Sequence, residues 1–250
     1  MIARPVRTLS SLVAVLLATA CTNSFEIPIE TPIRAKLDVA AFQRVLVAGF
    51  IAGGTEDVDG NLETTRLLRS QLRTKSQLRV IDSDVLPLVD VASEGRDSGG
   101  APTTPPPIKE EKDLEAYEHV FANVEYWKKI GEEYQQPLIV TGTVMFTPLQ
   151  RNSIVQREQE VYDSFGRRRV VPVRTYMERK GFSLDGRFIF IDGRSGATLH
   201  SESFGEQILY NANQTTPALS SYFELMDRLI PTFLSTLSSQ KIKGTRILLQ

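Results

Sequence analysis

The sequence predicts an α/β fold, in which a mixed sheet carries packed helices and an extended charged β-hairpin. Two observations favour the sheet with helices: short β-branched runs end at Gly or Asp, and amphipathic stretches at helical spacing lie between them. The hairpin is indicated by two charged, β-compatible runs on either side of a turn, at residues 154–180. Hydrophobic residues make up 41% of the 250-residue chain, which suffices for a packed core.

The chain begins with the features of a secretory signal. Arg4 and Arg7 precede an apolar stretch, residues 12–20, that is too short to span a bilayer and ends at Cys21, the only cysteine. We therefore expect a signal peptide at 1–20 and a lipidated tether at 21–37. The small residues before Cys21 resemble the lipobox of bacterial lipoproteins, which implies that Cys21 carries lipid. The alternative is an ordinary signal peptide with a chance cysteine.

Residues 38–250 are predicted to form a single α/β domain. Its first part is strand, helix, strand, with strands at 44–50 and 78–82 and leucines at helical spacing between them. This order favours a sheet covered by helices. A helix over 113–134 then leads into a strand at 138–144, and Trp127 on its apolar stripe is predicted to be core.

The second half of the domain is rich in predicted strands. Gly99-Gly100, Pro102 and the three consecutive prolines at 105–107 indicate a disordered surface insertion over 93–109. The hairpin 154–180 is rich in Arg and Glu, and strands at 182–192 and 197–209 follow it. A helix over 217–237 contains Pro231, which is expected to bend or divide it. A short closing strand is predicted at 245–249.

The sequence offers few residues suited to catalysis or metal binding. The net charge of −1 provides no field for nucleic acid, and no phosphate-binding glycine loop occurs. Asp57 and Asp59 alternate before a glycine, as in cation sites, but capping of the next helix is the better interpretation. We predict no enzyme activity, no cofactor and no metal. The residues weighed for carboxylate or histidine chemistry are Asp192, Glu202, Glu206, His119 and His200.

Several core patterns together resemble a known family. Residues 45–50, followed by a helix and residues 78–82, are similar to the opening of the curli-secretion-channel lipoproteins and to the amino-terminal domain of TolB. Residues 127–131 leading into 138–144, and the hairpin at 188–196, also resemble that family. The resemblance implies an α/β outer-membrane lipoprotein, exposed to the periplasm, that assembles or handles envelope or secretion machinery.

The function expected from these features is protein binding by a lipid-anchored accessory or assembly factor of the cell envelope. The expected partner is an envelope protein, and self-association into a homo-oligomer is left open. The alternative is a subunit of an oligomeric outer-membrane export channel, as in the curli family. The charged hairpin argues against it, because membrane strands need an apolar outward face. The predicted contact residues are Tyr162, Phe165, Arg167, Arg168, Arg169 and Tyr176.

Replacement of Cys21 by Ser is expected to abolish lipidation, because the thiol is the proposed attachment atom. Labelled fatty acid should enter the wild-type protein and a Thr22→Ser control, whereas Cys21→Ser should stay unlabelled and leave the membrane fraction. An unlabelled wild-type protein would show that the cysteine follows an ordinary signal peptide.

Overall fold

The computed structural model describes residues 24–94, 107–211, 214 and 216–249, which fall into two units. In the first, β1 (Ser24–Ile33) pairs antiparallel with β7 (Gln240–Leu249) along their whole length. The sequence predicted an extended leader and a closing strand, but not that the two pair. Nothing local signals a partner that lies more than 200 residues away.

The second unit, residues 35–238, contains a five-stranded sheet with the order β3-β2-β4-β5-β6. The β2 strand runs parallel to β3 and β4, while β4, β5 and β6 pair antiparallel in sequence order. The predicted mixed sheet is therefore confirmed. Its strands are β2 (Arg44–Gly54), β3 (Arg79–Val80), β4 (Leu138–Tyr162), β5 (Arg168–Asp192) and β6 (Thr198–Asn211).

Helices cover both faces of this sheet. On one face lie α1 (Gly60–Lys75) and α5 (Ala218–Leu237), and on the other α2 (Leu88–Glu94), α3 (Glu111–Glu115), a 3-10 turn (Glu118–Val120) and α4 (Val124–Glu133). Strands covered on both faces are apolar without interruption, which explains the run that begins β4. Within the described ranges, no helix has both the length and the apolar character needed to cross a bilayer.

Two predicted elements differ in extent from the structure. The predicted strand 78–82 is reduced to two paired residues, and the predicted helix 113–134 is broken into α3, the 3-10 turn and α4. The break occurs because the Asn123 side chain accepts a hydrogen bond from Tyr126 N at 3.1 Å and so begins a new helix. Trp127 is fully buried, as predicted, and its Nε1 donates to Val120 O at 2.9 Å.

The predicted hairpin is confirmed, but its strands are longer than expected. Residues 138–162 form one strand and 168–192 another, each of 25 residues, without the interruptions that the sequence suggested. Pro148 does not end β4, because β2 pairs only as far as Phe146 and β4 is an edge strand beyond that point. Likewise, Pro231 does not divide α5, which continues to Leu237.

Most of the predicted insertion, residues 95–106, lies outside the described residues. At its end, Ile108 is buried in the core beneath α2, α3 and α4. Its carbonyl oxygen accepts a hydrogen bond from Gly54 N at 2.9 Å. This contact fixes the chain where it re-enters the described structure.

A close backbone contact joins α4 to the turn after β5. A Cβ atom added at Gly131 would lie 1.8 Å from the carbonyl oxygen of Gly193, which no side chain can accommodate. Glycine is therefore required in the last turn of this helix despite its poor helix propensity.

Gly131→Ala is expected to destabilise the fold by about 1–3 kcal/mol, because overpacking outweighs the ~1 kcal/mol gain in helix propensity. Urea unfolding of the full chain measures this change. Glu132→Ala, at the exposed neighbouring position of the same helix, should change the free energy of unfolding little. An equal or higher stability of Gly131→Ala would contradict the close contact.

A polar cluster ties the start of the second unit to its sheet. Glu202 on β6 accepts hydrogen bonds from Lys36 Nζ and, at 2.8 Å, from Thr236 Oγ1 on α5. Burial alone would raise the pKa of Glu202, but the bonds from Lys36 and Thr236 and the nearby charges of Lys36 and His200 outweigh it and lower the pKa.

Glu202→Gln should therefore cost stability near neutral pH, by about 1–2 kcal/mol for the lost charge-assisted bonds. Because the folded-state pKa is lowered, this stabilisation exists above the ordinary glutamate pKa and is lost as pH falls through the folded-state value. The wild-type and variant unfolding curves should converge in acid, while Glu206→Gln on the same strand should differ little from wild type at any pH. A constant gap between wild type and Glu202→Gln down to low pH would contradict this role.

Candidate functional site

The outer halves of β4 and β5 leave the sheet and form a two-stranded projection, which we call the arm. Pairing of β2 with β4 ends at Phe146, and pairing of β6 with β5 ends at Arg179. Residues 151–162 and 168–179 pair with each other along the arm, with Arg179 at its base also opposite Asn211 of β6, and residues 163–167 connect the two strands as the tip. Twelve residues per strand give the arm a length of about 40 Å.

Side-chain and backbone bonds to one residue shape the tip. Asp163 Oδ1 accepts from Phe165 N and Arg167 N, each at 2.9 Å, and its Oδ2 accepts from Arg167 Nε at 3.1 Å. Gly166 takes the left-handed conformation that the turn requires, with φ of +73°. The tip is therefore a defined loop, and it presents Phe165 with 81% of its surface exposed.

An arginine accompanies this exposed ring. Arg167 Cζ lies 5.4 Å from the centroid of the Phe165 ring, within cation–π distance. Tyr162, 65% exposed, stands where β4 meets the tip. The few residues that contribute most of the binding energy in protein interfaces are enriched in aromatic side chains and arginine.

The register divides the remaining arm residues between two faces. We call one the acidic face, because it holds all three glutamates of the two arm strands, Glu158, Glu160 and Glu178, against two arginines. The opposite, basic face holds four arginines and no acid. Its members include Arg151, Arg157, Arg169, Arg179, Val155, Val161, Val171, Val173 and Met177.

The structure brings some of the predicted contact residues together and separates others. Tyr162 and Arg168 are register partners on the acidic face, with Arg168 paired to Glu160, whereas Arg169 belongs to the basic face. Tyr176 lies eight residues back along the arm from Arg168, about 27 Å away from the tip. The tip set therefore comprises Tyr162, Phe165, Arg167, Arg168 and Arg169.

The three carboxylates weighed for catalysis do not form a site. Glu202 and Glu206 are four residues apart on β6, which separates them by about 13 Å along the strand. Asp192 lies four residues beyond Phe188, the β5 partner of Glu202, so it is about as far from Glu202 in the other direction. Carboxylate pairs that hydrolyse glycosides are roughly 5–10 Å apart. Asp192 instead shapes a turn, where its Oδ1 accepts from Arg194 N at 2.9 Å.

His119 and Asp59 take part in hydrogen bonds that stabilise the fold. Each ring nitrogen of His119 lies near a backbone carbonyl, Nδ1 at 3.0 Å from Ala116 O and Nε2 at 3.1 Å from Ala92 O. Asp59 caps α1 by accepting from Leu62 N at 3.0 Å, which was the favoured interpretation. Among the residues that the structure describes, no three His, Cys, Asp or Glu side chains come together as metal ligands.

Sequence reasoning missed the segregation of charge between the two arm faces. Alternation along β4 alone separates Glu158 and Glu160 from Arg157. Combining the two strands needs their register, which depends on the five-residue tip held by Asp163. The register could have been predicted from the turn residues Asp163 and Gly166, because an Asp side chain often bonds to the backbone of the following residues and Gly tolerates the left-handed conformation.

No protein-family model matches the chain, and no curated protein matches its sequence. Solved structures with similarity include the PelC dodecamer from Paraburkholderia phytofirmans, with 14% identity over 86% of this chain and 100% of that chain, at a TM-score of 0.37. Lipoprotein GNA1162 from Neisseria meningitidis is 12% identical over 77% of this chain and 98% of its own, at 0.34.

The C-terminal domain of LpoB from Salmonella enterica is similar as well, with 9% identity over 79% of this chain and 94% of its own, at a TM-score of 0.28. At TM-scores of 0.37 and below, these likenesses support no functional argument. The resemblance to curli-secretion-channel lipoproteins thus stays a prediction from the sequence.

Proposed function

We propose that this chain is a lipid-anchored envelope protein that binds a partner protein through the tip of its arm. In this role it serves as an accessory or assembly factor of cell-envelope or secretion machinery, distantly related to the curli-secretion-channel lipoproteins. The single observation that carries the proposal is an ordered arm of about 40 Å that displays Phe165 and its neighbouring arginines at its end.

The distribution of exposed apolar surface supports this role. Fifteen large hydrophobic side chains are exposed among the described residues, and seven of them lie on the arm. A two-stranded ribbon by itself is marginally stable in water, so an arm with this much apolar surface gains stability when another surface covers it. The seven are Ile154, Val161, Tyr162, Phe165, Val170, Val171 and Tyr176.

The composition of the arm also favours a protein surface over lipid. Strands that face hydrocarbon carry an apolar outer face, and an arginine at the bilayer midplane costs about 2–4 kcal/mol. Here, arginines or glutamates occur along both faces of the arm. For this reason we prefer protein contact to the alternative, a subunit of an oligomeric outer-membrane export channel.

Replacement of Arg167, Arg168 and Arg169 by Ser is expected to abolish partner capture. A photo-reactive residue at position 164, beside Phe165, should cross-link one partner protein in cells, and mass spectrometry identifies it. The triple variant should lose this product while its thermal stability changes little, since exposed ion pairs contribute about 0–1 kcal/mol each.

The matched control replaces Arg66, Arg73 and Arg228 by Ser, because these arginines are also exposed and each also pairs with a carboxylate. It should retain the cross-linked product. Equal capture by the tip variant and the control would sink the proposal that the tip is the contact.

A further inference from the structure

The two faces of the arm have complementary charge. The acidic face carries Glu158, Glu160 and Glu178, while the basic face carries four arginines without an acid. Both faces also carry apolar side chains, such as Ile154 and Tyr176 on the acidic face and Val161 and Val171 on the basic face. Each face thus has the chemistry that the other would bind.

Several charged side chains on these faces form no ion pair with any residue that the structure describes. In the described part of the structure, Arg157 and Arg179 of the basic face and Glu158 of the acidic face form no ion pair. Glu160, by contrast, pairs with Arg168. Arg157 and Glu158 are adjacent on β4 and therefore point to opposite sides of the arm.

The edges of the arm are poorly suited to adding further strands. Pro172 lies in β5 opposite Glu158, and Pro148 lies in β4 opposite Phe182 at the base. A proline within a continuous antiparallel ladder belongs at a pair whose backbone groups point outward, where it removes a donor from the free edge. Each proline therefore removes one backbone donor from a free edge, which disfavours the addition of a strand there and makes the faces the better contact surface.

We propose that the arms of successive copies of this chain stack front to back, with the acidic face of one copy on the basic face of the next. Packed sheets lie about 10 Å apart. Stacking in register then brings each glutamate within one residue of an arginine of the next copy. The facing pairs are Glu158 with Arg157, Glu160 with Arg169, and Glu178 with Arg179.

The size of the contact indicates more than two copies. A face of about 40 by 10 Å covers roughly 400 Å², about half of the ~800 Å² that each partner buries in a stable complex. Because the contact joins unlike faces, each copy can use its acidic face for one neighbour and its basic face for another. The two contacts together bury about 800 Å² of each copy. Such a heterologous contact continues to further copies until it closes on itself.

This inference rests on the proposed role of the arm in binding, but it uses the faces and leaves the tip free. The two proposals can therefore fail independently. Arg167→Ser, which changes the tip loop and neither face, should weaken capture of the partner without changing self-association. Reversal of face charges should change self-association and leave the tip loop, held by Asp163, intact.

The first test is the native mass of the full chain, extracted from membranes in mild detergent, over a range of protein concentrations. Wild type should form an assembly of several identical copies that weakens with salt. Arg157→Glu and Glu158→Arg should each shift assembly to roughly tenfold higher concentration or more, because like charges then face each other. The combined swap of both residues should restore it.

Arg174→Glu is the matched control, since Arg174 is also an arm arginine without an ion pair in the described structure but lies on the acidic face. It should not weaken assembly. A monomeric wild-type protein, a complex holding one copy with a different protein, or equal weakening by Arg157→Glu and Arg174→Glu would overturn the proposal.

A second measurement tests the orientation of the contact. Ile154 lies on the acidic face and Val155 on the basic face. A mixture of Ile154→Cys and Val155→Cys proteins should form dimers linked by a bismaleimide of about 10 Å reach, which matches the spacing of packed sheets, while each variant alone should form few. Efficient cross-linking of Ile154→Cys with itself would show that like faces meet, which contradicts front-to-back stacking.

Discussion

The unbroken antiparallel register of β4 with β5 is the constraint on which the rest of the structure depends. It runs through all 25 residue pairs, from Leu138 opposite Asp192 to Tyr162 opposite Arg168. Its inner half is buried between two helix layers, where Phe188 and Phe190 contact Phe233 of α5. The buried half anchors the exposed half, so that a charged ribbon keeps a fixed register far from any core.

Sequence reasoning recovered the elements whose signals are local. The apolar run before Phe50, the leucines of α1 and the charged hairpin all appear in the structure, because periodicity reports burial directly. Sequence reasoning failed where contacts between distant parts of the chain determine the extent or the pairing of an element. Pro148 is tolerated because β2 has already ended, Asn123 restarts a helix by capping it, and β1 pairs with a strand at the far end of the chain.

The interaction surface was only partly predictable for the same reason. Exposure of Tyr162 and Phe165 follows from a hairpin rich in charge, and the structure places both at the end of the arm. The distance of Tyr176 from that end, and the separation of Glu158 from Arg157 onto oppositely charged faces, emerge only when the two strands are aligned. A one-residue slip would mix these charges, so the tip loop that sets the register also sets the chemistry of the faces.

The most direct test of this account is amide hydrogen exchange of the full chain, measured in its native assembly and again after dissociation at high salt. If the arm is the contact element, the amides of residues 151–179 exchange slowly in the assembly and much faster once it dissociates, while those of β2 stay protected in both states. Equally fast exchange of the arm in both states would contradict the account, because an arm that nothing covers cannot be the binding surface.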